Sequence, residues 1–336
     1  MSSKKKTLDT LKLMVTDGCN LSCIYCVPEL QTRKLRRKKG LKHAELIRLV
    51  RALLPQGVAH IDIRGGEPLI KKWIYPFLEE MQRVPQIRRI SLLTNGVVLK
   101  DHAAELHAMG LTEVGVHMDS LNFEKYMKIT RGDHLYRVHA GLQEAATANK
   151  VGFDRIKIYV SILRGFNHKE IIDFALLTKE HPYEVVFLEY KAHDAGEAKS
   201  NRGELQYPLE KIQEEIDHFQ RLFPVKNTSI PGKVYRFEDG CVMGGRERGL
   251  IRFVRPSEHH RCDRCSRIFL TTDGLLSPCF LVDKAVDLQP LLDCKEGQEV
   301  AGVLEATKKV VRSRPRKLPR QEKPFRLCAQ FSFLDE

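Results

Sequence analysis

Three cysteines stand within eight positions of one another in "TDGCNLSCIYC", at Cys19, Cys23 and Cys26, with no obvious fourth thiol beside them. A structural zinc closes a tetrahedron of four nitrogen or sulfur donors, and a catalytic zinc more typically uses His or carboxylate ligands. Three thiolates in one loop suit three irons of a 4Fe-4S cluster, which leaves the fourth iron open to a further ligand. A second trio, in "CDRCSRIFLTTDGLLSPC", spaces Cys262, Cys265 and Cys279 as C-x2-C-x13-C, a pattern that a zinc knuckle and an iron–sulfur site both accept. Of the other three cysteines, Cys241, Cys294 and Cys328, each is either a small buried hydrophobe or a fourth ligand to the second trio, and Cys241 is the best placed of them. The run "GGEP" adds Gly65, Gly66, Glu67 and Pro68: the glycines let backbone approach a ligand closely, and the carboxylate can accept hydrogen bonds from an ammonium group.

The elements that must position these residues alternate strictly over the first 190 residues. Strands are expected at 11–16, 60–65, 89–95, 113–120, 156–163 and 184–191, with amphipathic helices at 44–54, 73–82, 103–109, 135–148 and 170–180 between them. Such alternation predicts an α/β fold with parallel strands and right-handed crossovers. Six strands rather than eight predict a partial (β/α)6 TIM-like barrel, with a doubly wound sheet as the competing arrangement. The first four strands end in "TDGC", "RGGEP", "TNG" and "MDS", the polar rim expected at the C-terminal ends of barrel strands. A polar loop over 193–204 and a helix over 208–223 follow, then a segment of short strands, glycines and prolines that holds six of the nine cysteines. The expected division is a core domain over residues 1–225 and a smaller cluster-bearing domain over 226–336.

The chain has 336 residues, 42% of them hydrophobic and 29% charged, which is ordinary for a globular protein with a sizeable core. No run approaches 18 apolar residues and "MSSKKKTLDT" lacks the apolar stretch of a secretory signal, so a cytoplasmic protein without membrane contact is expected. A net charge of +13, concentrated at Arg33–Lys39 and Lys308–Arg320, suits an anionic partner or simply a solvated basic face. With one Trp and no basic run interleaved with aromatics, nucleic acid is disfavoured as that partner.

The first cysteine spacing resembles the signature of the radical S-adenosylmethionine (SAM) superfamily. In order along the chain, "GGEP", "LLTNG" and "VHMDSL" then resemble its SAM-pocket motifs. The second trio and Arg267 after it resemble the auxiliary-cluster motif of the molybdenum-cofactor GTP 3′,8-cyclases (MoaA). The resemblance implies two 4Fe-4S clusters, SAM on the open iron of the first, and an external one-electron reductant of the flavodoxin or ferredoxin type. It also implies SAM contacts from Tyr25, Gly65, Gly66, Glu67, Pro68, Thr94, Asn95, His117, Ser120 and Lys191, and substrate contacts from Lys157 and Arg267. The implied activity is lyase- or oxidoreductase-type: reductive SAM cleavage to a 5′-deoxyadenosyl radical that abstracts hydrogen from a small anionic substrate, a nucleotide among the candidates. Departures from the cyclase pattern are Lys12, Asp62 and Phe269 where the family carries Arg, His117 and Lys191 where it carries Ser and Met, and "RLCAQFSFLDE" in place of a Gly-Gly tail. Asp62 is expected to repel a triphosphate, which favours a MoaA-like reaction on another substrate over GTP cyclisation itself. A peptide- or RNA-modifying radical enzyme and a non-enzymatic metal-binding module, which predicts no SAM cleavage, are the remaining readings.

Overall fold

The computed structural model describes residues 8–26, 40–148, 152–190, 203–225, 233–243, 246–247, 249–255, 265–279 and 284–314. The core repeats strand and helix: β1 (Thr10–Met14), α1 (His43–Leu53), β2 (His60–Arg64), α2 (Ile74–Gln82), β3 (Arg89–Thr94), α3 (Leu99–Ala108), β4 (Glu113–His117), α4 (Phe123–Thr130), α5 (Leu135–Thr147), β5 (Arg155–Ile162), α6 (Ile171–Glu180) and β6 (Tyr183–Glu189). After α7 (Leu209–Phe219) come short strands: β7 (Phe223–Pro224), β8 (Val234–Arg236), β9 (Val242–Met243), β10 (Arg246–Glu247), β11 (Leu250–Val254), β12 (Arg267–Leu270), β13 (Leu275–Ser277) and β14 (Val286–Asp287). Helix α8 (Glu296–Arg312) follows.

Strands β1 to β6 pair in order and in parallel. The C-terminal segment then widens the same sheet at both edges: β12 pairs parallel with β1, and β11 pairs parallel with β6. Antiparallel β13 and β14 extend one wing and β8 and β7 the other, giving an open sheet in the order β14-β13-β12-β1-β2-β3-β4-β5-β6-β11-β8-β7. Eight contiguous parallel strands thus form a barrel wall that is not closed, as the partial-barrel expectation requires.

Period-2 alternation separates the two faces of this wall. Leu11, Leu13, Ile61, Ile63, Leu92, Val114, Val116, Ile156, Ile158, Val185, Phe187, Ile268 and Leu270 join the main core with the helices. Their neighbours Met14, Tyr159, Val186, Leu188, Val254 and Phe269 form a separate inner cluster, the lining of a lumen. Helix α1 shows the outer packing: Leu46, Leu49, Val50 and Leu53 recur at helical spacing and are buried. Full burial of each contributes roughly 1.5–3 kcal/mol. Glu45 accepts from the Lys42 N–H at 2.6 Å and so caps its first turn. Helix α8 crosses α1, where Arg48 donates to the buried Glu299 at 2.6 Å.

Candidate active site

The cysteine loop leaves the C-terminal end of β1 and is braced by the next three loops in turn. Thr16 O accepts from Gly66 N at 2.7 Å and Gly18 O from Glu67 N at 2.8 Å, which ties it to the end of β2. Asn95, after β3, donates through Nδ2 to Asn20 at 2.7 Å and to the Cys19 sulfur at 3.7 Å. Ser22 N and Ile24 N donate to Thr130 O and Ile129 O, at 3.1 and 2.9 Å, which clamps the loop to the end of α4.

The glycines of "GGEP" serve this brace. A Cβ on Gly65 would lie 2.6 Å from Thr16 O, and one on Gly66 only 2.2 Å from Gly18 O, so the close backbone approach they permit is to the cysteine loop. Pro68 opens a short 3-10 turn over Pro68–Ile70. Glu67 is fully buried, and its carboxylate accepts from Leu69 N (3.0 Å), Thr94 Oγ1 (2.7 Å) and Asn95 N (2.6 Å). That side chain therefore clamps the β2 and β3 loops together, with acceptor capacity left on Oε2, which takes only the Asn95 N–H. Burial raises the Glu67 pKa, and the three donors partly offset it.

Burial, then Asp119, then the neighbouring thiols Cys26 and Cys19 push the Cys23 thiol well above its ordinary pKa. Burial likewise raises Cys19, against the Leu21 and Asn95 donors that lower it. The Cys23 thiol thus feels both of its neighbours, and among the described residues no three Cys, His, Asp or Glu side chains close on a single metal ion. Three thiols in one loop are the donor set of a 4Fe-4S cluster, which takes one cysteine per iron and leaves the fourth iron open. A bound cluster would reverse the pKa preference by its own positive charge.

Beneath the loop lies a buried polar network. Tyr25 donates to Asp119 and its ring centroid lies 5.8 Å from that of His117. Asp119 Oδ1 accepts from Ser161 N at 2.8 Å and stands 3.1 Å from His117 Nε2, while Asn167 donates to Ser161 O at 2.8 Å. Ser120, just past the end of β4, is fully buried and donates to Glu170 at 2.8 Å.

The lumen wall below is a lattice of ion pairs. Asp62 lies 2.6 Å from Arg64 and 3.9 Å from Lys12. Glu113 meets Arg89 (3.2 Å), Arg155 (3.4 Å) and Lys157 (3.7 Å), and Glu184 meets Arg155 (3.7 Å) and Arg252 (2.5 Å). Burial raises the Asp62 pKa, but Arg64 and Lys12 outweigh it and hold the carboxyl below its ordinary value. The charge reversal at Asp62 is thus offset within the wall by the Arg64 and Lys12 cations beside it.

Strand register places the second cysteine set. Arg267 lies opposite Thr10 at the N-terminal end of β1, and Ser277 lies opposite Phe269 on the antiparallel β13. Cys265 and Cys279 therefore both come to the end of the lumen away from the first loop. Arg267 shares its strand face with Phe269, hence with the lumen. Cys241 is held at the other wing, its N–H donating to Thr178 O and its carbonyl accepting from Gly249 N, both at 2.9 Å. Cys294 Sγ lies 3.8 Å from Pro290 O. Lys191, Cys262 and Cys328 lie outside the described residues.

Comparisons with known proteins agree with this geometry. A family model described as "Radical SAM superfamily" matches residues 13–178, and one described as "Molybdenum Cofactor Synthesis C" matches 183–319. The GTP 3′,8-cyclase of Thermodesulfovibrio yellowstonii is 34% identical over 324 residues, 96% of each chain, and that of Moorella thermoacetica is 33% identical over 285 residues, 85% of each. Among solved structures, Streptococcus suis SuiB bound to S-adenosylmethionine aligns with TM-score 0.56 at 16% identity, over 86% of this chain and 65% of that one. The structure of anSMEcpe with AdoMet and a peptide aligns with TM-score 0.56 at 17% identity, over 96% and 88%. The chain belongs to the radical SAM superfamily and, within it, to the family of the GTP 3′,8-cyclases. It is accordingly a radical SAM enzyme, of a family whose cofactors are two 4Fe-4S clusters and SAM. No helix among the described residues is long and apolar enough to cross a membrane.

Charged residues at alternate strand positions were the sequence signal for the lattice: Lys12, Asp62 and Arg64, Glu113, Arg155 and Lys157, Glu184, Arg252. Sequence reasoning took up Lys12, Asp62 and Lys157 singly and missed that Lys12 pairs with Asp62 and Lys157 with Glu113. Asp119, Ser161 and Asn167 carried no comparable pattern.

Proposed function

We propose that this enzyme, in the cytoplasm, abstracts hydrogen from a small anionic, nucleotide-like substrate held in the lumen between the two cysteine sets. The lumen charge carries this reading. Lys12, Arg64, Arg155, Lys157 and Arg252 outnumber Asp62, Glu113 and Glu184, and each carboxylate is shared by at least two cations. A wall of that kind keeps a positive potential while its buried charges remain paired. Lys157 and Arg267 are the proposed contacts for the anionic groups.

Cys19, Cys23 and Cys26 would hold the first cluster; Tyr25, Gly65, Gly66, Glu67, Pro68, Thr94, Asn95, His117, Ser120 and Lys191 would surround SAM. Cys262, Cys265 and Cys279, in the segment 226–336, would hold the second. When bound, the first cluster and SAM supply one-electron cleavage and hydrogen abstraction, with the electron drawn from a flavodoxin- or ferredoxin-type protein. The polypeptide braces the cysteine loop, orients His117 through Asp119, and keeps the substrate against a paired-charge wall.

A second reading, GTP 3′,8-cyclisation itself, is favoured by the 96% coverage of a relative bearing that name. Reduced, reconstituted enzyme incubated with SAM and GTP separates the two. Formation of 5′-deoxyadenosine with loss of GTP to a cyclised product establishes the second reading. Deoxyadenosine without GTP loss supports a different anionic substrate, and no deoxyadenosine under any condition sinks both.

A further inference from the structure

The structure assigns Arg314 as a positioning residue for the second cysteine set. The inference rests on the reading that Cys262, Cys265 and Cys279 hold a cluster. Arg314 follows α8, and its guanidinium donates from one terminal nitrogen to Cys265 O and from the other to Arg267 O. The carbonyl between them, Ser266 O, faces the opposite way and accepts from Asp9 N at 2.8 Å and Thr10 N at 3.3 Å, at the start of β1. Successive carbonyls of an extended segment point to opposite sides, so Cys265 and Arg267 present theirs to the edge that β13 would cover. The β12–β13 pairing stops at Phe269 and Ser277. Arg314 thus stands in for a sheet neighbour where β13 gives out, and satisfies two backbone acceptors in the stretch that carries a ligand cysteine.

Two features suit an arginine here. The planar fork reaches two carbonyls at once, which an ammonium point donor does less well, and its charge is permanent. A fixed positive charge one residue's backbone away from a cluster ligand favours the reduced, more negative cluster and raises its potential. The reach of Arg314 is set by the anchored helix before it. Val303 and Val310 of α8 are buried, and Lys284 Nζ lies 3.5 Å from Ser313 O. The basic stretch that includes Arg314 is therefore more than a solvated face.

Redox titration of the reconstituted full-length enzyme, followed by the electron paramagnetic resonance of each cluster and by iron content, tests the assignment with Arg314→Gln and Arg314→Lys. The expected result in R314Q is a midpoint lowered at the Cys265-bound cluster alone. At fixed poise this is about a tenfold fall in its reduced:oxidised ratio, or ~59 mV for one electron. R314K should recover most of that shift through its charge, with a perturbed spectrum because the fork is lost. Unchanged potentials and spectra in a folded R314Q overturn the assignment, as does an equal shift at both clusters. Should R314Q not fold, a wild-type potential and spectrum in R314K, with lowered thermal stability alone, mark a structural arginine and overturn it equally. Wild-type enzyme that binds only about four irons instead of about eight fails the cluster reading itself, independently of any variant.

Discussion

The two cysteine regions sit at opposite ends of the same parallel strands and are built by different rules. The first is a local loop: its three cysteines lie within one turn-rich segment, and the bracing loops follow the very next strands of the barrel. The second is assembled at long range, from the β12–β13 hairpin joined to the far edge of β1 and an arginine beyond α8. A motif whose scaffold is close in sequence announces itself by spacing. One whose scaffold comes from elsewhere shows only its ligands.

The largest contrast should come from removing ligands. Cys23→Ala is expected to abolish 5′-deoxyadenosine formation, a loss of at least about a thousandfold, since SAM cleavage needs the first cluster. Cys279→Ala should keep SAM cleavage within about tenfold and lose substrate turnover. Chromatographic assay of deoxyadenosine and of substrate in parallel checks both, and equal behaviour of the two variants would erase the distinction between the sites.

Scaffold changes come next. Gly66→Ala drives a Cβ into Gly18 O, so iron at the first site should be lost and stability should fall by about 1–3 kcal/mol. Gly297→Ala, where a Cβ meets nothing within 4 Å in α8, should instead stabilise by about 0.5–1 kcal/mol. Thermal unfolding of both variants beside iron analysis decides; a G66A protein with full iron would mean that the brace is dispensable.

Charge at the lumen wall should act more gently. Because its pKa is lower folded than unfolded, the Asp62 carboxylate contributes stability that is present above the ordinary carboxylate value of 3.8 and fades as pH falls through its lower folded value. Asp62→Asn should therefore be less stable than wild type at neutral pH, with the gap closing in acid. A pH-independent gap in denaturant melts would assign the loss to packing instead.

The smallest effect is expected at His139, on α5. Burial, then His181, lowers its pKa below 6.5, so the unfolded chain binds the proton more readily and stability falls as pH drops below 6.5, levelling off beneath the folded value. His139→Gln should flatten that slope by a few tenths of a kcal/mol. An unaltered slope in melts between pH 5 and 7 would place its origin in His60 or His168, whose pKa values are also lowered.

Most of the barrel was legible because burial enforces period on sequence. The strand expected at 156–163 is Arg155–Ile162 and the helix expected at 135–148 is Leu135–Thr147, each correct to a residue or so. Helix α4 was not anticipated: eight residues with Tyr126, Ile129 and Thr130 buried give too short an apolar stripe to stand out. The first cysteine loop and "GGEP" were legible as chemistry, but spacing could not show that the glycines and Glu67 face the chain itself. The ion-pair lattice was missed for a related reason. Strand periodicity was read from apolar residues, whereas its charged members alternate on the opposite, inner face.

The order in which the sheet is completed has a consequence for synthesis. Strand β1 acquires its neighbour β2 some fifty residues later, but its other edge waits for β12, more than 250 residues downstream. While the chain emerges, that edge is a bare template of backbone donors and acceptors beside a loop of reactive thiols. Nascent chains should consequently be most prone to strand-edge association and thiol oxidation before residue 270 is made.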